Sequence, residues 1–545
     1  MVRRLLPRLT VASVLLLIVI ASVYRFVGSP ARATAVAPIP TATSTPTANA
    51  AQLGQWSAVD KTWPDFAIHL AVERTGDVVF WGAIGPSTDA HTWNPSTGTF
   101  STVSTSSNIF CAGLVMLADG RLIVVGGHQD PTAEFGIKES NLYDPLSRTW
   151  MHLPNMLSPR WYPSATRLAD GRVVVLSGQI TPGVWADSPE IYNPATNTWS
   201  ALASLNTSDM HEGGYPQAHL LPTGNIFVMG VGEAVMRTLD VGAQTWTNEG
   251  TLPFTFGSAA MYRPGKFLYT GGGPTWDGPS GTSAAVVDAT GPTVTQHAVA
   301  PMAYPRFQHN LVMLPDGRVL AVGGSTVVNT PSTTGSLPAE IFDPNTETWT
   351  TMAAQQVPRM YHSTAVLLPD GRILSTGGGA AAINDSPTGE IYSPPYLFAG
   401  PRPVINNAPL TIDYSTPITI HTNDAANIAT VSLIPLASET HTLDSSQTYL
   451  PLSFTKGTNQ LIATPPANGN LAPAGYYMLF IVNGNGVPSV ARIVQISASP
   501  PCATRRADVD GDGLCRFSIS QRWRSTSHKA FRPRPRPTIR MVMHD

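Results

Sequence analysis

Two neighbouring residues, Tyr361 and His362, carry side chains that could bind a metal ion, and they lie directly before the strand-like run 363–368. Tyr162 precedes a similar run elsewhere in the chain, and Cys111 precedes a third. Phenol oxygens and imidazole nitrogens are ligands that suit copper(II) in tetragonal geometry. One such residue alone would more often belong to the core or rim of a fold, so a metal site is predicted only if the fold brings these residues together.

A repeated pattern along the chain predicts the fold that positions them. Each unit has an apolar stretch, a tight turn such as Asp-Gly and a β-rich run that often ends in Gly-Gly, as in 117–127 and 314–324. The turn glycines are Gly76, Gly120, Gly171, Gly224, Gly265, Gly317 and Gly371. Their mean spacing, (371 − 76)/6, is about 49 residues, and a kelch repeat, which forms one four-stranded propeller blade, has a period of about 50. These seven turns predict an all-β, seven-bladed kelch propeller.

The second half of each unit supports this interpretation. An Asp-Pro or Asn-Pro pair, as at Asp144, is typical of the turn between the third and fourth strands. A tryptophan such as Trp150 follows and is expected to pack between blades. The last unit lacks this tryptophan, whereas Gln55 and Trp56 resemble the missing outer strand. We therefore expect the N-terminal strand to pair into the last blade, which closes the ring and removes its exposed edges.

The propeller geometry makes the candidate ligands neighbours. The innermost strand of every blade lines the propeller axis and begins at the same end of it. Cys111, Tyr162 and the pair Tyr361 and His362 hold equivalent places before the innermost strands of different blades, so their side chains should converge around the axis. Other histidines are expected to have structural roles and are not predicted to bind metal: His69, His128, His211, His219 and His309.

After about residue 400 the repeat stops. Several short apolar or alternating segments follow over about 100 residues, which predicts a small immunoglobulin-like β-sandwich. The predicted domains are a signal peptide at 1–33, a linker rich in Thr, Pro and Ala at 34–51, the propeller at 52–400, the sandwich at 401–498 and a tail, predicted to be disordered, at 499–545.

The N-terminus has the pattern of an export signal. Arg3, Arg4 and Arg8 precede an apolar run at 9–23, and the small residues at 31–33 are a candidate cleavage site. The run is short for a membrane span of about 20 residues. These features predict a secreted, extracellular protein, with an uncleaved membrane anchor as the alternative.

The C-terminal tail carries two further features. Asp508 begins a sequence similar to a calcium-binding loop, but Ile519 at its twelfth position cannot bind calcium. Cys502 and Cys515 could pair with each other, which would leave Cys111 unpaired in an exported protein. The net charge is −2 and 12% of the residues are charged, so the chain lacks the basic surface typical of a nucleic-acid-binding protein.

Four segments together resemble the metal site of the copper radical oxidases, the family of galactose oxidase and glyoxal oxidase. They are 108–111, 159–164, 357–363 and 439–442. The resemblance, which covers residues 55–498, implies a thioether bond between Cys111 and Tyr162 as a radical cofactor. It also implies one copper ion held by Tyr162, Tyr361, His362 and His441. Tyr361 would be the axial ligand, and His441 would come from a loop of the sandwich.

The resemblance further implies oxidation of a primary alcohol or an aldehyde hydrate by O₂, with H₂O₂ as the second product. A radical on the cross-linked Tyr162 would take a hydrogen atom from the substrate, and Tyr361 would act as general base. In galactose oxidase a tryptophan stacks over the thioether, but Ile180 stands at that place here, with Trp161 or Trp185 as candidate replacements. The expected substrate is therefore a small aldehyde hydrate or simple primary alcohol rather than galactose.

Two other functions fit parts of the sequence. A non-catalytic secreted kelch module would bind a glycan or a protein through its blade loops, and a wall or matrix protein would have a structural role. Neither needs Cys111 beside Tyr162, and neither predicts copper uptake or peroxide. For the oxidase, the expected partners are O₂ and a small alcohol, aldehyde or carbohydrate. We expect a monomer without nucleic acid and without stable membrane association after signal cleavage.

Overall fold

The computed structural model describes residues 49–82, 89–130, 133–276, 278–326, 335–378 and 387–497. The predicted signal peptide, most of the predicted linker and the tail, with its calcium-loop motif, Cys502 and Cys515, lie outside the described residues. Among the described residues no helix is long and apolar enough to cross a membrane. The short helices are Ala50–Leu53 and the 3-10 turns Pro395–Phe398 and Ala425–Asn427.

Seven antiparallel sheets form the blades of a propeller; six have four strands, and that of blade one has a fifth from the C-terminal domain. This arrangement confirms the predicted all-β, seven-bladed architecture. In blades one to six the chain runs from the inner to the outer strand. In that order the first four blades are built from His69–Val72, Val78–Trp81, Asp89–Trp93 and Phe100–Ser104; Gly113–Met116, Leu122–Val125, Ser140–Asp144 and Thr149–Leu153; Ser164–Arg167, Val173–Leu176, Glu190–Asn193 and Thr198–Ala201; and Gln217–Leu220, Ile226–Met229, Val235–Asp240 and Thr245–Thr251.

The remaining three blades follow the same plan, and two small hairpins extend from the loops of blades two and three. Blades five to seven are built from Ser258–Arg263, Lys266–Thr270, Ala284–Asp288 and Thr295–Ala298; Phe307–Met313, Val319–Ser325, Pro338–Asp343 and Thr348–Ala354; and Ser363–Leu367, Ile373–Gly377, Gly389–Ser393 and Gln55–Trp56. The hairpins are His128–Asp130 with Ala133–Gly136 and Gln179–Thr181 with Val184–Trp185.

The first two strands of each blade are largely buried, because neighbouring blades cover both of their faces. All four residues of Leu122–Val125 are buried, whereas the outer strand Thr149–Leu153 is largely exposed. The turn between the first two strands contains Gly120 with φ of 80°, a left-handed conformation that glycine adopts without steric strain. Burial and turn chemistry therefore both select the hairpin that begins each blade.

Tryptophans of several outer strands join their blade to the blade before it, as predicted. The indole Nε1 of Trp150 donates to the carbonyl oxygen of Val103 at 2.9 Å, and Trp349 donates to Ala300 at 2.9 Å. Each indole thus packs its apolar ring between two blades, and its only N–H group makes a hydrogen bond to the preceding blade.

The N-terminal strand closes the ring, which confirms the predicted pairing. Gln55 lies opposite Ser393 and Trp56 opposite Tyr392 in an antiparallel pair. The indole of Trp56 also donates to the carbonyl oxygen of Ala353 in blade six at 2.8 Å. The first strand therefore seals blade seven and removes a free sheet edge.

The C-terminal sandwich follows directly after blade seven. Its strands, in sheet order, are Thr411–Ile412, Arg492–Ile496, Gly475–Asn483, Ile428–Pro435, Leu450–Gly457, Gln460–Thr464 and Ile418–His421. This seven-stranded sheet encloses a separate apolar core that contains Ile420, Leu461 and Tyr477.

One segment of the sandwich, residues 436–449, enters the propeller along its axis; we call it the axial arm. Its strand Ser438–Thr440 adds to the inner strand of blade one, with Thr440 opposite His69. The Ser445 hydroxyl donates to Ala165 of blade three at 2.8 Å, and the arm also hydrogen-bonds to blades six and seven. These contacts fix the arm between blades.

Candidate metal centre

The loops that carry the candidate ligands share an unusual backbone conformation. Cys111, Tyr162 and His362 have positive φ values of 54°, 64° and 68° directly before the inner strands of blades two, three and seven. Residues other than glycine rarely adopt this left-handed backbone conformation, so contacts with the surrounding structure must stabilise it. One such contact is the bond from the Tyr162 amide to the Cys111 carbonyl oxygen, at 3.0 Å. Each loop is thus braced by its neighbour.

Buried arginines anchor two of these loops. Arg160 donates to Glu190 at 2.8 Å, and both side chains are almost fully buried. Arg359 and Glu390 form a corresponding buried pair at 3.6 Å. Each arginine stands two residues before a candidate tyrosine ligand, so the ion pairs position the ligand loops. These residues were not predicted, although the Pro-Arg pair that recurs before both loops was a usable signal.

The structure brings all the candidate ligands together at one end of the propeller axis. The hydroxyls of Tyr162 and Tyr361 are in hydrogen-bond contact. The ring centroid of His441 lies 4.9 Å from that of Tyr162 and 4.8 Å from that of His362. The ligating atoms of Cys111, His362 and His441 all lie within 4.8 Å of one another.

The axial arm fixes the orientation of His441. Thr440 Oγ1 donates to the carbonyl oxygen of Ile68 at 3.3 Å and lies 2.6 Å from His441 Nδ1. Because its one proton goes to Ile68, Thr440 accepts from Nδ1–H, and the lone pair of His441 is then on Nε2. Nε2 lies 3.6 Å from Cys111 Sγ, so the arm presents the metal-binding nitrogen to the centre.

Tyr215 is a neighbour of the centre that was not predicted. Its ring stacks on His441 at a centroid distance of 4.4 Å and lies 5.0 Å from the ring of Tyr162. Tyr215 precedes the inner strand of blade four with a φ of 42°, the same blade position that singled out Tyr162. Its position directly before the inner strand of a blade was therefore the signal from which Tyr215 could have been predicted.

The two tryptophans suggested as replacements for the missing stacking residue are placed differently. Trp161 meets the ring of Tyr162 edge-on, at 4.4 Å and 83°. Trp185 stacks instead on His211, at 4.7 Å. Trp161 therefore covers one edge of Tyr162, and neither indole is seen to lie flat over it.

The histidines that were not predicted as ligands lie outside the group of His and Cys side chains that could hold a metal in the described part of the chain. His69 is near the centre, but its Nε2 accepts the Cys111 amide at 2.9 Å. His309 Nε2 is 2.8 Å from the Thr270 hydroxyl. The others are His128, His211 and His219.

Burial favours the neutral forms of His441, Tyr162 and Cys111 in the absence of a cation. It lowers the pKa of His441 well below its usual value, and His362 and His69 add to this effect. Burial also raises the pKa of Tyr162, as do the nearby Cys111 and Tyr361, and it raises that of the Cys111 thiol. A bound cation would reverse these shifts, because it favours deprotonated ligands.

The donor set tests which metal would fit. Two phenol oxygens and two imidazole nitrogens converge, and no carboxylate belongs to the metal-binding group in the described part of the chain. Calcium and magnesium prefer carboxylate and carbonyl oxygens, whereas mixed nitrogen and oxygen ligands suit copper(II). The side chains present therefore fit copper.

A cleft opens beside the centre and reaches Tyr361 and His441. Its other lining residues are uncharged and come mainly from the loops of blades four, five and six. Gln217 and Gln308 line this cleft, and the buried amide oxygen of each has no hydrogen-bond partner among the described residues. The cleft thus offers two unused acceptors close to the proposed metal ligands.

Comparisons with known proteins agree with this geometry. The family model described as Glyoxal oxidase N-terminus matches residues 86–245 and 282–392, and the model described as Galactose oxidase-like, Early set domain matches 402–496. "Galactose oxidase" of Gibberella zeae is 30% identical over 501 residues, which cover 82% of this chain and 71% of that protein. "Aldehyde oxidase GLOX" of Vitis pseudoreticulata is 28% identical over 442 residues, which cover 72% of this chain and 82% of that protein.

A solved structure is similar over the same region. It is described as a novel fungal alcohol oxidase with catalytic diversity among the AA5 family, in complex with copper. The TM-score is 0.74 at 29% sequence identity, and the match covers 82% of this chain and 100% of that chain.

Proposed function

This chain belongs to the copper radical oxidase family of galactose oxidase and glyoxal oxidase, and from that premise we propose that it is a secreted oxidase of small primary alcohols or aldehyde hydrates. An alcohol and O₂ would give an aldehyde and H₂O₂, and an aldehyde hydrate and O₂ would give a carboxylic acid and H₂O₂. The observation that carries the proposal is the convergence of Tyr162, Tyr361, His362 and His441 beside Cys111.

The four oxygen and nitrogen donors would hold the copper ion: the phenol oxygens of Tyr162 and Tyr361 and ring nitrogens of His362 and His441. When bound, copper would supply one of the two oxidising equivalents that the reaction needs. Tyr162 would supply the other as a radical and would take a hydrogen atom from the substrate carbon. This division explains why a two-electron oxidation needs a modified tyrosine as well as one metal ion.

Cys111 is proposed to form a thioether with the ring of Tyr162. Formation of the C–S bond removes one hydrogen from the thiol and one from the ring, and O₂ accepts the two electrons and two protons as H₂O₂. Supporting contacts are the packing of Tyr162 against the cluster that contains Cys111 and the hydrogen bond between their backbones. The cross-link would spread and stabilise the radical.

Tyr361 is proposed to be the general base. It lines the cleft beside the centre, so a substrate hydroxyl that enters the cleft can reach its oxygen. Proton transfer to a positioned side chain contributes about 10²–10⁴-fold to a reaction rate. The contact between the hydroxyls of Tyr361 and Tyr162 supports this role, because the proposed base and the proposed hydrogen-atom acceptor are neighbours.

The uncharged cleft supports small neutral substrates. None of its described lining side chains is Lys, Arg, Asp or Glu, so no ion pair is available to a charged substrate there. Ile180 in place of a stacking tryptophan removes a flat aromatic surface of the kind that covers the centre in galactose oxidase. The uncharged lining favours a neutral substrate, and the missing aromatic surface favours a short alcohol or aldehyde hydrate over galactose.

A peroxide-coupled assay tests the proposal. Copper-loaded protein should produce H₂O₂ from a panel of small alcohols and aldehydes, and His441→Gln should lose copper and at least about 100-fold of the activity. His297→Gln is the matched control, because this histidine is exposed on the outer strand of blade five. A folded protein that takes up no copper and yields no peroxide from any substrate would support a binding module instead.

A further inference from the structure

A buried arginine without a hydrogen-bond partner lies at the far end of the strand that begins after Tyr162. Arg167 is the last residue of Ser164–Arg167 in blade three and is only 6% exposed. Its Nε and Nη1 atoms are buried and have no hydrogen-bond partner among the described residues. A buried guanidinium is strongly unfavourable unless hydrogen bonds or a counter-charge compensate it.

The surroundings of Arg167 form a cleft between the propeller and the sandwich. It is lined by Ser445, Ser446 and Thr448 of the axial arm and by Asn470 of the sandwich. The Thr448 hydroxyl is also buried and without a partner among the described residues. The cleft therefore contains two independent unused donors, a guanidinium and a hydroxyl.

No acidic residue lines this cleft in the described part of the chain. Asp119 acts on Arg167 electrostatically, but its carboxylate is bound to Arg121 at 2.7 Å. The Tyr477 hydroxyl, which also lines the cleft, donates to the Pro473 carbonyl oxygen. The protein thus surrounds a cation with neutral groups and supplies no counter-ion.

Glycine at position 475 lets the guanidinium lie close to the backbone. A Cβ atom on Gly475 would lie 2.7 Å from Arg167 Nη1, which is closer than such atoms pack. The guanidinium is therefore held against the backbone of the sandwich strand Gly475–Asn483. Its position is fixed by packing rather than by a bound carboxylate of the chain.

We propose that the Arg167 cleft binds a small oxyanion, a carboxylate or a phosphate group, through the guanidinium and the Thr448 hydroxyl. The planar fork of arginine matches the paired oxygens of both groups. The anion would join blade three, whose first strand follows Tyr162, to the axial arm that carries His441. The site is separate from the metal centre, and the bound anion would supply the missing counter-charge.

Thermal unfolding of the copper-free full chain tests this site. The Tm should rise saturably by about 3 °C or more in acetate or phosphate compared with chloride at equal ionic strength. The stronger of the two responses identifies a carboxylate or a phosphate as the preferred ligand. Arg167→Met should abolish the rise, and Arg237→Met, which changes a partly exposed arginine of blade four, should retain it.

Two further results make the test decisive. In chloride, Arg167→Met should be at least as stable as the wild type, because it removes an uncompensated buried charge. If this variant does not fold, Thr448→Val provides the same test and should weaken the apparent anion affinity about tenfold. Equal responses of the wild type, Arg167→Met and Thr448→Val to both oxyanions would overturn the proposal and leave water as the occupant.

Discussion

The hydroxyl groups of Tyr162 and Tyr361 are in hydrogen-bond contact although 199 residues separate these tyrosines in the chain. They belong to the loops before blades three and seven, so their contact depends on the curvature of the whole ring. One of the two phenols must donate and the other accept, so at least one proton lies between them. A metal ion bound by both oxygens would displace such protons, and metal uptake should therefore release acid.

The first prediction concerns the cross-link. In wild-type protein treated with copper in air, the intact mass should fall by two hydrogens, because the C–S bond replaces one S–H and one C–H bond. Cys111→Ser should show no such loss and should retain about a thousandth of the activity or less. A wild-type mass that is unchanged after copper treatment, in a protein that still turns over substrate, would contradict the thioether.

The second prediction concerns the orientation of His441. Thr440→Val removes the oxygen that lies 2.6 Å from His441 Nδ1 and should weaken copper affinity about 10-fold to 100-fold. Thr440→Ser keeps the oxygen and should restore the affinity. Competition titrations with a chelator measure both values, and equal affinities of the Val and Ser variants would show that the hydroxyl does not position the ring.

The third prediction concerns substrate choice. The unused amide oxygen of Gln308 lies in the cleft beside Tyr361, so it can accept a bond from a second hydroxyl of the substrate. Gln308→Leu should raise the KM for a diol such as ethylene glycol about tenfold, while the KM for ethanol changes little. Gln296→Leu is the control, because Gln296 is exposed in an outer strand. A parallel change for both substrates would argue against this contact.

The fourth prediction concerns stability and pH. Burial lowers the pKa of His219 from 6.5 to about 4, so between these values the unfolded chain binds a proton that the folded chain does not. The free energy of unfolding therefore falls as the pH falls from 7 to 5, and His219 accounts for about 2 kcal/mol of this loss. Below pH 4 both states are protonated and the loss is complete.

Guanidinium titrations of the copper-free protein at pH 7 and pH 5 measure this contribution. His219→Leu should lose about 2 kcal/mol less stability than the wild type over this interval. Gln296→Leu should behave like the wild type, because this exposed side chain does not titrate. The same pH dependence in all three proteins would place the titrating group elsewhere.

The ring could be predicted from the sequence because its requirements are local. A tight turn needs glycine at a positive φ, and an indole between blades needs an apolar site with one hydrogen-bond acceptor. Each requirement therefore selects a particular residue type at a fixed position of the repeat. The closing pair of Gln55 and Trp56 was recognisable for the same reason. Local rules of this kind repeat seven times, and repetition makes them visible.

Tyr215 and the axial arm were harder to predict because their environment is created by distant parts of the chain. The arm strand Ser438–Thr440 has only three residues, too few for a hydrophobic period, and its partner strand lies in blade one. The stacking of Tyr215 on His441 depends on how far the arm enters the propeller. The same reasoning applies to Arg167, whose lack of a partner appears only when the two domains meet.

The closing strand has a consequence for synthesis of the protein. Ser57 contacts Ile391, which lies 334 residues later, so the first strand to leave the ribosome finds its partners only after the rest of the ring has been translated. Until then blade seven is incomplete, and its unpaired edges are exposed to other nascent chains. We therefore expect folding to finish in a single late step, and loss of residues 49–57 to yield aggregates rather than a smaller working enzyme.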